Sequence, residues 1–322
     1  MEKIKIGVLR GGPSSEYDVS LKTGGSVLKN LPAEKYNIQD IFISKEGGWH
    51  FRGIPIAPEK LINQVDVIFN AMHGEYGEDG TVQQLLDTFS VPYTGSTAFS
   101  SAIGMNKLLT KQGIENSDIN TPEYTIIEAS DDLEKDIFDI FRSFTMPAVV
   151  KPVSGGSSVG VTIAKSFDEL RDGVYKALGH CPKVLIEEYI GGREVTCGIV
   201  EGFRGEEVHA LMPVEIITSN ESNFFDYTAK YSGETQEVCP AHLDSVIKDE
   251  IQRLAKEAHK ALGLRHYSRS DFIVSPRGIY FLEVNTLPGL TEGSLMPKAL
   301  DAGGTRLPEF LDHLVLLALD NK

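Results

Sequence analysis

The sequence has few cysteines and no long apolar run. Its 322 residues include three cysteines, Cys181, Cys197 and Cys239, which lie far apart. Their odd number and wide spacing argue against a disulfide framework or a zinc site. No segment reaches the length of a membrane span, and the first residues, MEKIKIGVLRGG, lack the apolar core of a secretion signal. We therefore expect a cytoplasmic protein without a membrane partner.

Positive charge is also scarce. Lysine and arginine number 31 against 46 acidic residues, so the net charge is −15. Such a surface repels phosphate backbones, and we expect no nucleic-acid partner. On this background a lysine within an apolar strand is more informative than usual. The hydrophobic share of 41% is typical of a globular protein, and the length predicts two or three domains.

Two common nucleotide-binding motifs are absent. The chain has no G-x-G-x-x-G after its first strand and no G-K-[ST] after a glycine-rich loop. The first strand, at 3–9, runs into RGGPSS, which is only a weak dinucleotide signal. Further strands are predicted at 38–44, 65–70 and 91–95, alternating with helices. This alternation predicts an α/β domain with a parallel sheet that ends near residue 96.

A β-hairpin near the C-terminus carries an oxygen-rich patch. Strands at 270–274 and 279–285 flank the turn sequence SPRG, which places Asp271 opposite Glu283 to within about one residue. Glu283 and Asn285 leave the same face of their strand. Carboxylate and amide oxygens of this kind suit Mg²⁺ with substrate phosphates. The alternative is a solvated hairpin, but the apolar neighbours of Glu283 favour the site.

A second hairpin places a lysine before a glycine- and serine-rich loop. Lys151 lies within the strand AVVKP, followed by the loop SGGSSVG and the strand VTIAK. The loop can fold its N–H groups and hydroxyls over phosphates. Lys151 either extends its ammonium towards solvent or meets an anion, and the adjacent loop favours the anion.

Other polar clusters are less specific. Glu187 and Glu188 end one predicted strand and Glu194 begins the next, so they could meet a ribose or form an ordinary hairpin turn. His73 and Glu78 follow the third strand, where ligands bind in open α/β sheets, although a helix-capping loop explains them equally well. The polar and aromatic stretch at about 217–240 is long enough to predict a lid.

Taken in order, these motifs resemble the ATP-grasp superfamily and, within it, the D-alanine–D-alanine ligase family. The pieces that carry the resemblance span nearly the whole chain: GVLRGGPSSEYDVSL, HGEYGEDGTVQ, VPYTGS, MNK, VVKPVSGGSSVGV, IEEYIGGREVT, DYTAKY, SRSDF and EVNTLPGLTEGSLMPK.

The resemblance implies a mixed α/β and α+β architecture, the ATP-grasp fold. A Rossmann-like domain at 1–96 precedes two α+β subdomains at 97–184 and 185–322, which hold ATP between antiparallel sheets, with the lid in the second. It further implies ATP-dependent joining of two D-alanines through an acyl phosphate, for peptidoglycan precursor synthesis. Two Mg²⁺ ions, replaceable by Mn²⁺, and a homodimer are part of the same expectation.

The resemblance also assigns roles to individual residues. ATP contacts fall on Lys107, Lys151, Ser158, Glu187, Glu188, Ile190 and Glu194, and metal ligands on Asp271, Glu283 and Asn285. Catalytic roles fall on Glu16, Ser157, Tyr231, Arg269, Gly289 and Ser294, and substrate contacts on His73, Glu78, Lys230 and Leu295. The chain departs from the family pattern at Asn106, commonly Asp, and at Gly293, where several relatives have a larger polar residue. Gly293 leaves D-lactate or D-serine open as the second substrate.

Two other classes of function remain alternatives. A nicotinamide-dependent oxidoreductase would explain the first strand and its glycines, but it would leave Lys151 and the Asp271–Glu283 pair unused. A calcium-binding module would need ligands at regular spacing, as in an EF-hand loop, and the sequence has no such loop.

Overall fold

The computed structural model describes residues 3–217 and 236–320. They form three β-sheets, arranged one after another along the chain and covered by helices. The strands are β1 Ile4–Gly11, β2 Tyr36–Ile43, β3 Trp49–Phe51, β4 Ile54–Pro55, β5 Val67–Asn70, β6 Tyr124–Glu128, β7 Ala148–Pro152, β8 Thr162–Ala164, β9 Lys183–Glu188, β10 Arg193–Glu201, β11 Val208–Ala210, β12 Val214–Ile217, β13 Gln236–Val238, β14 Tyr267–Ser275 and β15 Gly278–Asn285.

Helices connect and cover these strands. They are α1 Tyr17–Asn30, α2 Pro58–Ile62, α3 Thr81–Thr88, α4 Ala98–Met105, α5 Lys107–Gly113, α6 Leu133–Ser143, α7 Phe167–Leu178, α8 Ser245–Ala261, α9 Leu295–Ala302 and α10 Leu307–Asp320. Within the described ranges, no helix combines the length and the apolar character that crossing a bilayer requires.

The N-terminal sheet has the order β4-β3-β2-β1-β5. β1 is parallel to β2 and β5, as predicted, whereas β3 and β4 add an antiparallel edge that the sequence pattern did not predict. The predicted strand at 91–95 is reduced to a single bridge between Tyr93 and Ile68. Apolar side chains of α1 and the C-terminal helix α10 pack on one face of this sheet, so the two ends of the chain share a core.

The central sheet is antiparallel, with the order β6-β9-β7-β8. β7 and β8 form the predicted hairpin, joined by the glycine- and serine-rich loop. Helices α6 and α7 cover one face and bury Ile137, Leu170 and Val174. The predicted domain boundary at 184/185 falls inside β9, because that strand pairs with β7 as far as Glu188. The chain therefore leaves this sheet between Glu188 and Arg193.

The segment after residue 96 forms two helices, α4 and α5. Asn106 interrupts them with extended backbone (φ −104°, ψ 105°), and its side chain accepts a hydrogen bond from the Leu109 backbone N–H. Asparagine and aspartate serve this N-cap position about equally well. The departure at Asn106 therefore preserves the start of α5 and the position of Lys107.

The C-terminal sheet has the order β13-β12-β10-β14-β15, and β11 also pairs with β10. Helix α8 packs behind it and buries Ile251, Leu254 and Ala258 against Phe272 and Phe281. Bulky apolar side chains on alternate positions of β14 and β15 thus fix one face of the hairpin in the core. The polar residues on the other face point towards the central sheet and the N-terminal domain.

Candidate active site

The C-terminal hairpin has the predicted register. Asp271 lies opposite Glu283, and Arg269 lies opposite Asn285. A β-bulge follows Asp271, and the turn is closed by Gly278, whose φ of 129° is accessible to glycine but strained for other residues. The register brings one guanidinium, two carboxylates and one amide to the same region of the sheet.

Asp271 is held in one orientation by its neighbours. Its Oδ1 accepts hydrogen bonds from Thr196 Oγ1 at 2.7 Å and from Arg269 Nε at 2.9 Å, while Arg269 Nη2 donates to Oδ2 at 3.0 Å. Burial opposes the charge on Arg269, but the Asp271, Glu283 and Glu78 carboxylates outweigh burial and raise the pKa of the guanidinium. Arg269 is thus a fixed cation behind the carboxylate patch.

Lys107 connects the hairpin to the loop of the central sheet. Its ammonium donates to the Gly155 carbonyl at 2.8 Å and lies 3.4 Å from Glu283 Oε2. Because Lys107 is the first residue of α5, the helix break at Asn106 directs this side chain towards the hairpin.

The oxygen donors suit a phosphate-bound magnesium ion. Among residues 3–217 and 236–320 there is no group of three or more histidine, cysteine, aspartate and glutamate side chains that could hold a metal. Asp271, Glu283 and Asn285 instead supply two carboxylates and one amide. Mg²⁺ is usually bound by one or two carboxylates together with substrate phosphates, so the chemistry of the donor set fits the predicted ligands.

A cavity of about 310 Å³ lies between the central and C-terminal sheets. The residues predicted to contact ATP all line it: Lys107, Lys151, Ser158, Glu187, Glu188, Ile190 and Glu194. Its walls also include apolar side chains, among them Val149, Ile216 and Leu282. A flat apolar ring could enter between such walls, while the lysines and the serine-rich loop offer partners for anions. We call this space the nucleotide cavity.

Lys151 belongs to a buried group of three charges. Its ammonium is ion-paired with Glu187 Oε2, and Lys111 Nζ lies 2.8 Å from Glu187 Oε1. Burial lowers the pKa of Lys111, and the attraction of Glu187 opposes that shift. No role was assigned to Lys111 from the sequence. Its spacing of four residues from Lys107 was the available signal, because it puts both side chains on the same side of a helix.

A second cavity of about 360 Å³ adjoins the first and reaches the N-terminal domain. Its lining contains every described residue predicted to be catalytic or to contact the amino-acid substrates: Glu16, His73, Glu78, Ser157, Arg269, Gly289, Ser294 and Leu295. Lys230 and Tyr231, also predicted for this site, lie outside the described residues. We call this space the substrate cavity.

Glu16 connects two segments that line the substrate cavity. Ser157 Oγ donates a hydrogen bond to Glu16 Oε1, which links α1 to the serine-rich loop. Ser157 and Ser158 have φ values of 51° and 57°, a strained backbone region for residues other than glycine. Strain of this kind clusters at ligand-binding sites, where surrounding contacts maintain it.

Glu78 and His73 are buried at the floor of this cavity. Glu78 accepts hydrogen bonds from the Gly74 N–H at 2.7 Å and the Leu287 N–H at 3.2 Å. Burial, reinforced by the nearby Glu16 carboxylate, raises the pKa of Glu78 to about 8. Burial lowers the pKa of His73, whose Nε2 is 2.8 Å from Thr23 Oγ1. Two groups that favour their neutral forms therefore lie beside a carboxylate that faces the cavity.

Sequence reasoning missed other polar groups around the cavities. Arg193 pairs through two 2.7 Å hydrogen bonds with Glu215, which lines the nucleotide cavity. Glu237 lines the substrate cavity and is ion-paired with Lys298 on α9. These pairs join strands and helices that are far apart in sequence, so local patterns gave no signal for them.

Comparison with known proteins identifies the family of this chain. The family model for the D-alanine–D-alanine ligase C-terminus matches residues 114–316, and the model for the N-terminus matches residues 5–60 and 51–96. The chain belongs to the D-alanine–D-alanine ligase family. A D-alanine–D-alanine ligase of Geobacter sulfurreducens is 36% identical over 99% of this chain and 95% of its own length.

Solved structures agree in fold. The chain is similar to a D-alanine–D-alanine ligase of Bacillus anthracis complexed with ATP, with a TM-score of 0.82 and 34% identity over 99% of this chain and 98% of that one. It is also similar to the VanG D-Ala:D-Ser ligase of Enterococcus faecalis, with a TM-score of 0.86 and 31% identity over 98% of this chain and all of that one. The predicted ATP-grasp fold is therefore confirmed.

Proposed function

We propose that this protein joins two D-alanine molecules into D-alanyl-D-alanine at the expense of ATP, for the synthesis of peptidoglycan precursors. ATP phosphorylates the carboxylate of the first D-alanine and leaves as ADP. The amine of the second D-alanine then attacks the acyl phosphate, and inorganic phosphate leaves. Family membership supports the reaction, and the arrangement of the two cavities supports the assignment of its parts.

The observation that carries the proposal is the junction of the two cavities. Lys107, Glu194, Asp271 and Glu283 line both of them, together with Gly155 and Gly156 of the serine-rich loop. Phosphoryl transfer needs a nucleotide and a carboxylate acceptor on opposite sides of one charge-stabilising region. Cations and carboxylates meet here, between a cavity with apolar walls and one lined by polar groups.

Different residues of the substrate cavity would bind the two amino acids. Glu16 offers a carboxylate for the ammonium of the first D-alanine, and Ser157 fixes its direction. The partly buried Arg269 guanidinium and the Gly289 N–H would provide positive charge for the first carboxylate and for the oxyanion formed when it is attacked. Ser294 and Leu295, at the start of α9, are placed to receive the second carboxylate at a helix N-terminus.

On the nucleotide side, Lys107 and Lys151 would meet the phosphates, and Glu194 would accept hydrogen bonds from the ribose hydroxyls. We propose that Asp271, Glu283 and Asn285 hold magnesium on those phosphates. When bound, the metal would neutralise charge that develops during phosphoryl transfer, a contribution of several kcal/mol in such reactions. Manganese, which prefers similar oxygen ligands, is expected to substitute.

A second candidate function is ligation of D-serine as the second substrate. The structural similarity to a D-Ala:D-Ser ligase and the open space at Gly293 favour it. Among the described residues, a Cβ atom built at Gly293 would meet nothing within 4 Å. A hydroxymethyl side chain therefore has room on this side of the substrate cavity.

The deciding experiment measures phosphate release from ATP with D-alanine alone, with L-alanine alone, and with D-alanine paired with D-serine or D-lactate. Mass spectrometry identifies each product. We expect D-alanyl-D-alanine as the main product and no release with L-alanine alone. Preferential formation of D-alanyl-D-serine would favour the second candidate, and release without any ligated product would contradict both.

A cytoplasmic location and a homodimer complete the proposal. The described cysteines, Cys181, Cys197 and Cys239, are all free thiols, as expected in a reducing compartment. Light scattering coupled to size-exclusion chromatography would test the dimer.

A further inference from the structure

Lys111 lies on the short helix α5, and other parts of the protein enclose its side chain. The side chain is buried, donates to the Pro122 carbonyl at 3.2 Å and lies 5.0 Å from the centre of the Tyr124 ring. It lines neither the nucleotide cavity nor the substrate cavity as the described residues form them. Its charge is nevertheless directed at Glu187, which does line the nucleotide cavity.

The charges of Lys111, Lys151 and Glu187 do not sum to zero. Lys111 and Lys151 approach the two oxygens of one carboxylate from different sides, so the group carries one surplus positive charge. The side chains are 1%, 9% and 2% exposed for Lys111, Lys151 and Glu187. Lys151 is the more exposed cation and the one that borders the nucleotide cavity. The surplus charge is therefore available on the cavity side of the group.

Stability alone is a weak reason for such a group. Desolvating buried charges costs several kcal/mol for each ion, and replacing a buried ion pair with neutral residues is often neutral or stabilising. A pair of Lys151 and Glu187 would already be neutral without a third charge. The addition of Lys111 buries another ammonium and changes the net charge of this group from zero to positive.

We propose that Lys111 is a positioning residue for nucleotide binding, because it shares the Glu187 carboxylate and so leaves Lys151 with uncompensated positive charge for the phosphates of ATP. This inference rests on the proposed function, in which the cavity between the sheets takes ATP. Without Lys111, Glu187 would neutralise Lys151 completely, and the cavity would lose its attraction for phosphate at this point.

Loss of Lys111 should weaken binding of the phosphates more than binding of the nucleoside. We expect Lys111→Met to weaken ATP binding by about 10-fold, with a smaller effect on ADP and no effect on adenosine. Affinities for the three ligands, each with magnesium chloride, are measured by displacement of a fluorescent ATP analogue.

The sharpest test is a double variant. The double variant, Lys111→Met with Glu187→Gln, removes one positive and one negative charge. Lys151 then again carries one uncompensated positive charge. We expect the double variant to bind ATP at least about 3-fold more tightly than Lys111→Met alone. Lys165→Met, an exposed lysine just beyond the same loop, is the matched control and should leave all affinities unchanged.

Different results overturn different conclusions. Equal losses for ATP and adenosine, or a double variant weaker than Lys111→Met, would mean that Lys111 only maintains the shape of the cavity and would overturn the inference. If Lys111→Met does not fold, ATP and adenosine are compared in the double variant. Equal losses relative to the wild type support the inference, and a greater loss for ATP overturns it. Absence of ATP binding by the wild type would instead contradict the proposed function.

Discussion

The buried carboxyl of Glu78 should make the stability of this protein fall as the pH rises. Its pKa is raised from the ordinary 4.5 to about 8, first by burial and then by the charge of Glu16. Between these values the folded state binds a proton that the unfolded state has already lost. Unfolding therefore becomes easier as the pH increases, and the effect ends once Glu78 is ionised in both states.

The size of the effect follows from the two pKa values. Each pH unit within the window removes up to ~1.4 kcal/mol from the free energy of unfolding. From pH 6.5 to about pH 9 the loss amounts to roughly 2 kcal/mol, because the slope fades near the folded-state pKa of about 8. His73 has its pKa lowered from 6.5, so its own contribution has the opposite sign and is confined below that pH.

Urea unfolding at intervals from pH 6.5 to 9 measures this slope in the wild type, Glu78→Gln and Glu75→Gln. Glu75 is an exposed acid on the same loop and serves as the matched control. Glu78→Gln should lose most of the slope, although losing one of the two backbone hydrogen bonds costs it about 1 kcal/mol at every pH. An unchanged slope in Glu78→Gln would refute the reasoning.

Three further variants test the site. Glu283→Gln should lower turnover by ~10²-fold or more with an unchanged melting temperature, and near-normal turnover in millimolar magnesium would contradict its role as a ligand. Lys151→Ala should raise the KM for ATP or slow phosphoryl transfer far more than Lys165→Ala. Equal effects of the two variants would mean that Lys151 has no role in binding phosphate. Gly74→Ala places a Cβ 2.9 Å from Glu16 Oε2 at a φ of 71°, so the KM for D-alanine should rise more than that for ATP; a matched rise would contradict this.

Local patterns were sufficient to predict the hairpin that carries the candidate metal ligands. The turn sequence fixes where the two strands reverse, and the alternation of apolar residues fixes which side chains face the core. Asp271 and Glu283 were therefore placed opposite each other correctly. The glycine- and serine-rich loop after Lys151 was predicted for the same reason, because both of its flanking strands are short, apolar and close in sequence.

Features that depend on distant segments were not predictable in this way. The antiparallel edge formed by β3 and β4 consists of two very short strands, which have too few residues for a periodic signal. The break at Asn106 lies within a continuous helical pattern and depends on a side-chain cap. Lys111 acquires its partner only when α5 packs beside β9, so its role depends on tertiary structure.

The charges at the two cavities point to an exchange of partners on ligand binding. Acidic side chains outnumber cationic ones in the lining of both cavities, and the cations Lys107 and Arg269 each lie beside a carboxylate. Lys107 is 3.4 Å from Glu283, and Arg269 Nε is 2.9 Å from Asp271. These carboxylates offset the positive charge of Lys107 and Arg269 in the absence of ligand. We expect phosphates to compete with Glu283 for Lys107, so that binding would redistribute charge already paired within the protein.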